Sequence, residues 1–228
     1  MSSVAENVIG VRERIFRAAE RAGRRGEEIR LVAVTKTQTV EAVRDVLAAG
    51  VQELGENYVQ EAEEKWTALG EVPAVRHLIG HLQRNKAGKA AALFDMVQTV
   101  DSLALAEGLG RRAGLLGRTL DVLIEVNLSG EATKFGVAPE EALDLAAAVA
   151  TVPHLRLQGL MGIGPLGADE RTVARSFRRG RALFEKLPGE HRRVLSMGMT
   201  GDFELAIAEG STMVRVGTGL FGARRSLG

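Results

Sequence analysis

Eight short runs rich in valine, leucine and isoleucine recur along the 228 residues, and the first seven each lead into a stretch with helical spacing. They fall at residues 30–36, 51–54, 75–79, 96–100, 120–128, 155–161, 193–197 and 212–216. Parallel strands need a crossover between them, so strict strand–helix alternation implies a parallel sheet covered by helices. Eight units in this length favour closure into a barrel over an open doubly wound sheet. Ahead of the first run, Val4, Val8, Val11, Ile15 and Ala18 form one apolar stripe at three- and four-residue spacings, which predicts an extra N-terminal helix over residues 3–22. Thr39 starts a helix that stops at Gly50, Asp101-Ser102 caps another, and Pro139-Glu140-Glu141 opens the helix after the fifth run. No compositional break divides the chain. The expectation is a single-domain (β/α)8 TIM barrel over residues 1–228, with one added helix.

Composition narrows the function classes. A net charge of +1 provides no global attraction to nucleic acid or acidic membranes. The absence of cysteine removes thiolate chemistry and disulfides. The first seven residues lack a secretory signal, and no apolar run approaches membrane-spanning length. A cytoplasmic protein without nucleic-acid or membrane partners is expected.

In this fold, chemistry gathers at the C-terminal ends of the strands. Alternation along the first run places Val32, Val34 and Lys36 on one face, with Leu31, Ala33 and Thr35 on the other. Two readings of Lys36 stand. Either the strand has ended and the ammonium reaches water, or a desolvated amine is poised to form a Schiff base. The seventh and eighth loops are this fold's usual phosphate position. Here they carry Ser196, Met199, Thr200, Gly217 and Thr218, whose glycines and hydroxyls suit either a phosphate or ordinary turns. Arg215 shares a strand face with Met213 and points inward, toward a ligand or toward an ion pair with Glu125 or Glu56. A phosphate-bearing aldehyde held by Lys36 and by both loops suggests pyridoxal 5′-phosphate, with Arg215 facing the pyridine nitrogen. An arginine only donates, so that nitrogen would stay unprotonated and the ring would be a weaker electron sink.

Other patterns carry less. Gly162-Ile163-Gly164-Pro165-Leu166-Gly167 has dinucleotide-loop spacing, but Pro165 lies inside the turn and no acidic partner follows. The glycines at 217, 219 and 222 repeat the spacing with too little chain beyond them for a second strand. His77 and His81 would pair on a metal only in a helix, and they sit in a strand leaving the barrel, so no metal site is expected. Arg171, Arg175, Arg178, Arg179 and Arg181 read as a solvated helix face.

Several longer motifs then carry a resemblance. They are Val34-Thr35-Lys36, Gly55-Glu56-Asn57-Tyr58-Val59-Gln60-Glu61, the segment from His77 through Gly80-His81 to Lys86, Val126-Asn127 and Lys134-Phe135-Gly136. Further along come Gly159-Leu160-Met161, Ser196-Met197-Gly198-Met199, the segment from Ser211 through Arg215 to Thr218, and Phe221-Gly222-Ala223-Arg224. In this order they resemble the pyridoxal phosphate homeostasis family, whose fold is similar to the N-terminal barrel of alanine racemase (fold type III). The resemblance implies covalent pyridoxal phosphate on Lys36 and Arg215 at the pyridine nitrogen. It implies phosphate contacts from Ser196, Thr200, Gly217 and Thr218, with Asn57 and Met199 lining the cofactor. Thr200 stands where the family commonly has serine, which keeps the hydroxyl, and the loop at 162–165 is richer in glycine than usual.

The family implies a monomeric carrier without turnover, with pyridoxal phosphate-dependent apoenzymes as candidate recipients. Racemisation needs acid/base groups on both faces of a substrate, and the sole tyrosine, Tyr58, sits beside the Gly55-Glu56-Asn57 turn. Two alternatives remain at this level. One is a small fold-type III racemase or decarboxylase. The other is a Schiff-base lyase whose phosphate belongs to a sugar substrate.

Overall fold

A computed structural model describes residues 3–131 and 133–222. The strands are β1 (Arg30–Val34), β2 (Glu53–Glu56), β3 (Val75–Leu78), β4 (Met96–Val100), β5 (Leu120–Asn127), β6 (Leu155–Ile163), β7 (Val194–Ser196) and β8 (Met213–Val216). The helices are α1 (Val4–Arg21), α2 (Val40–Ala48), α3 (Val59–Leu69), α4 (Ala87–Leu93), α5 (Leu103–Leu115), α6 (Ala142–Ala150), α7 (Glu170–Glu185), α8 (Phe203–Ala208) and α9 (Thr218–Phe221). All eight strands pair in parallel with their sequence neighbours, and β8 pairs with β1 to close the barrel.

The strand pleat sorts side chains into two layers. Val32, Met96, Leu123, Met161, Val194 and Met213 fill the inside of the barrel. Ala33, Leu54, Val97, Ile124, Leu160 and Val214 face outward into the helices, in a separate and larger apolar cluster. The face assignment expected for the first strand therefore holds at Val32 and Ala33.

The N-terminal helix forms as its stripe requires. Ser3 and Glu6 cap it reciprocally, satisfying N–H groups that the first turn leaves unpaired. Val8, Val11, Ile15 and Ala18 are buried, each of the larger ones contributing about 1.5–3 kcal/mol of burial. Asn7 Nδ2 donates to the Leu220 carbonyl at 2.9 Å, and Arg14 Nε to Glu204 at 2.7 Å, so α1 is tied to α8 and α9.

Most boundaries agree with expectation, and the exceptions have physical causes. β1 stops at Val34, and Lys36 lies in a turn with Thr37 at φ 62°. β2 begins at Glu53, two residues late. The longest strand is β6, because its outer end is extended by Gly162 and Ile163, which pair with Val126 and Asn127. Pro139-Glu140-Glu141 forms a turn before α6, which starts at Ala142. Ser102 sits at the N-cap of α5 without a side-chain cap bond, whereas Thr39 caps α2 as its sequence suggests, and Asp169 caps α7. Arg178, Arg179 and Arg181 pair with Glu209, Glu140 and Glu185 at the surface. Ala223 and Arg224 lie outside the described residues.

Candidate functional site

The turn that carries Lys36 is clamped from both sides by α3 and the end of β2. Lys65 Nζ donates to the Thr35 carbonyl at 2.6 Å, to Glu56 Oε1 at 2.5 Å and to Glu61 Oε1 at 3.0 Å. Thr35 Oγ1 also donates to Glu56 at 2.7 Å, and the Thr37 N–H donates to Glu61. Lys65 and Glu56 are buried. Burial pushes the Glu56 carboxyl up, against the pull of Lys65. Both residues flanking Lys36 are thus fixed, and Lys36 itself is half-buried at the mouth of the barrel. Glu56 faces this outer clamp, so it is not a partner for Arg215. Sequence reading missed Lys65 and Glu61 as supports; the signal was an i, i+4 pair on α3 with a carboxylate at the preceding strand end.

Arg215, on β8, points into the barrel and is almost fully buried. Its Nη1 donates to Ser196 Oγ at 2.7 Å and its Nη2 to the Gly162 carbonyl at 3.2 Å. Desolvation lowers its pKa to about 10, opposed by the attraction of Glu125 and Asp202, so it remains a cation near neutral pH. Ser196 Oγ donates in turn to Gln98 Oε1 at 2.7 Å. This orients the amide, placing Gln98 Nε2 3.0 Å from His77 Nδ1. An NH2 group there requires a bare Nδ1, so the ring proton sits on Nε2. His77 Nε2 lies 3.1 Å from Glu53 Oε2, close but not aligned as a hydrogen bond. Glu53 closes the chain with a two-pronged pair to Arg30 at 2.7 and 2.8 Å. A polar line therefore crosses the barrel interior from Arg30 to Arg215.

Ser196 is fully buried with its hydroxyl engaged by Arg215 and Gln98, so it supports Arg215 from within the barrel instead of standing with the loop donors. His77 is wholly buried in the same line, and the described residues contain no cluster of three or more metal-ligating acids, histidines or cysteines.

The seventh and eighth loops converge as expected. Thr200 Oγ1 accepts from the N–H groups of Gly217 and Gly219, each at 3.3 Å. Thr218 opens α9 and is exposed, and Met199 is half-buried. Asp202 Oδ1 accepts from the Met199 N–H at 2.6 Å, which holds the seventh loop. Gly198 has φ 89°, and a Cβ there would lie 2.6 Å from Ala206 Cβ, so only glycine lets this loop close down. A Cβ on Gly217 would lie 3.4 Å from Val34 Cβ, which puts the eighth loop against β1 two residues before Lys36. These loop donors, Arg215 and Lys36 occupy one side of the mouth.

Asn57 lies on the neighbouring side, just after β2. Its backbone is pinned by Gly80, whose absent Cβ would fall 2.3 Å from the Asn57 carbonyl oxygen. Beside it a cavity of about 670 Å3 is lined by Asn57, Tyr58, His81, Glu125, Phe135 and Ile163, among others.

Residues 11–225 match the alanine racemase N-terminal domain family. The chain is 46% identical to the pyridoxal phosphate homeostasis protein of Pseudomonas aeruginosa, over 98% of this chain and 97% of that one. Its identity to the protein of the same name from Escherichia coli K12 is 43%, over 98% of each. The structure of PipY from Synechococcus elongatus with pyridoxal phosphate bound superposes with a TM-score of 0.83 at 36% identity, covering 96% of this chain and 100% of that one. The mouth geometry and these full-length likenesses lead to one conclusion: the chain belongs to the pyridoxal phosphate homeostasis protein family, on the barrel of the alanine racemase N-terminal domain.

Proposed function

We propose that this protein binds pyridoxal 5′-phosphate covalently on Lys36 and serves in pyridoxal phosphate homeostasis without catalytic turnover of its own. The observation that carries the reading is the buried, doubly anchored Arg215 beside a lysine turn and a set of converging loop donors. When bound, the cofactor supplies an electrophilic aldehyde carbon and an electron-withdrawing ring.

The protein's own residues fit such a group. Lys36 offers its amine from a turn held by Lys65 and Glu61. Thr200, Gly217 and Thr218 meet the phosphate with a hydroxyl and backbone N–H groups. Asn57 and Met199 line the remaining edges, and Ser196 acts on the cofactor only through Arg215. Arg215 faces the pyridine nitrogen as a permanent donor and leaves it unprotonated, which suits retention better than carbanion chemistry. Tyr58 is largely exposed at the start of α3, a poor position for a dry proton donor opposite Lys36. The reading includes a monomer working in the cytoplasm and passing cofactor to apoenzymes. No described helix is long and apolar enough to cross a membrane.

The test is direct. Freshly purified protein should absorb in the visible range, and borohydride should fix the cofactor's mass on the peptide containing Lys36. Lys36→Ala should abolish both signals. Retention of covalent cofactor by that variant, or sustained turnover of an amino acid by the native chain, would reject the proposal. A colourless protein labelled only with an added sugar phosphate would favour the lyase alternative.

A further inference from the structure

The cavity beside Asn57 contains a buried acid that cofactor retention does not use. Glu125 is 3% exposed, and its Oε2 has no hydrogen-bond partner among the described residues. It alternates with Leu123, which faces the barrel interior, so its carboxyl points into the mouth and forms the inner end of the cavity. Burial raises its pKa to about 7; Asp101, at the end of β4, pushes it further up and Arg215 opposes this. Asp101 is itself 3.5 Å from His81 Nδ1. Glu125 is thus the carboxylate that lines the cavity, with Asp101 acting on it electrostatically and paired with His81.

Aromatic and apolar side chains form one wall of the cavity, and Asn57, Gln60, Gln83 and Lys86 supply the polar remainder. His81 stacks on Phe135 with ring centroids 3.9 Å apart, and Tyr58, Ile79 and Ile163 extend that wall. Aromatic faces attract organic cations, and a buried carboxylate oxygen without a hydrogen-bond partner, as Glu125 Oε2 is, seeks a charged donor. With no cluster of three metal-ligating groups among the described residues, the cation it suits is organic. Lys86 also lines the cavity, so a molecule charged at one end is oriented with its nitrogen inward. The volume lies in the range of small-molecule sites.

We propose that this cavity binds a small primary ammonium compound with an aromatic body, its nitrogen paired with Glu125 and its body against the His81–Phe135 wall. The site lies next to the cofactor position through Asn57, yet it does not depend on the cofactor reading.

The full-length chain is first treated with borohydride, which makes any aldehyde-derived linkage inert to amines. Mass analysis then reports separately whether Lys36 is labelled. Calorimetry with 2-phenylethylamine, at a pH well above 7, should show saturable binding. Binding should weaken roughly tenfold or more in Glu125→Gln, and by a similar factor when 2-phenylethanol replaces the amine. Phe135→Ala, in an exposed loop, should weaken it several-fold. Equal binding of amine to Glu125→Gln and to the native chain, or equal binding of alcohol and amine, would overturn the proposal. So would absence of amine binding in a native chain whose melting curve is intact. Amine discrimination with Lys36 unlabelled would reject the cofactor reading and leave this site standing; labelled Lys36 without discrimination would do the reverse.

Discussion

Lys65 shows how a residue that never touches the mouth can decide what happens there. Its ammonium joins the Thr35 carbonyl, Glu56 and Glu61, and Glu56 has no solvent exposure. Removing one member of a buried ion pair leaves the other charged and unmatched, which costs about 3–5 kcal/mol. Lys65→Met should therefore lower stability by that amount in chemical denaturation and weaken cofactor loading, because the Lys36 turn loses its anchors. Adding Glu56→Gln should recover part of the stability, since it removes the stranded charge. Full stability in the single variant would show that the clamp is dispensable.

Among the elements, the loops that follow β2 and β3 depend on one close approach. Gly80 allows the Asn57 backbone to pass within a distance that any Cβ would block, and Thr99 Oγ1 fixes its carbonyl at 2.9 Å. Gly80→Ala should force the loop apart, at about 1–3 kcal/mol of stability, and should loosen cofactor binding through Asn57. Gly10, inside α1, is the contrasting case: a Cβ there meets nothing within 4 Å. Gly10→Ala should stabilise by about 0.5–1 kcal/mol with unchanged loading. Thermal melts and cofactor titration of both variants separate backbone clearance from helix propensity. Of these loops, the sequence made Asn57 and the Gly-His segment visible as strand ends. That Gly80 fits beneath Asn57 depends on neighbouring strands meeting, and nothing within either segment encodes the distance.

For the molecule as a whole, buried acids couple stability to pH. The Glu125 carboxyl moves from its ordinary 4.5 to about 7 in the folded chain, chiefly by desolvation. Between those values the folded state holds a proton that the unfolded state has released. This contribution is therefore complete below about 4.5 and is lost as pH rises through about 7. Glu125→Gln should flatten the decline, leaving the variant more stable than the native chain above pH 7, by on the order of 3 kcal/mol. Equilibrium denaturation across this range checks it, and parallel curves for the two proteins would contradict it.

By itself the sequence determined the barrel. Alternating strand and helix periods leave few ways to bury eight apolar runs, and the α1 stripe and the Thr39 cap are local signals that tertiary packing did not override. Lys36, Arg215 and the Gly-Thr loops were legible because strand ends in this fold share one mouth. The partners of those residues were decided only by the tertiary structure. Ser196 faces inward under Arg215, Glu56 turns outward to Lys65, and Glu125 leaves one carboxylate oxygen without a hydrogen bond at the end of a cavity. Each outcome depends on which side chains the barrel's closure brings within about 3 Å, and strands distant in sequence carry no record of that distance.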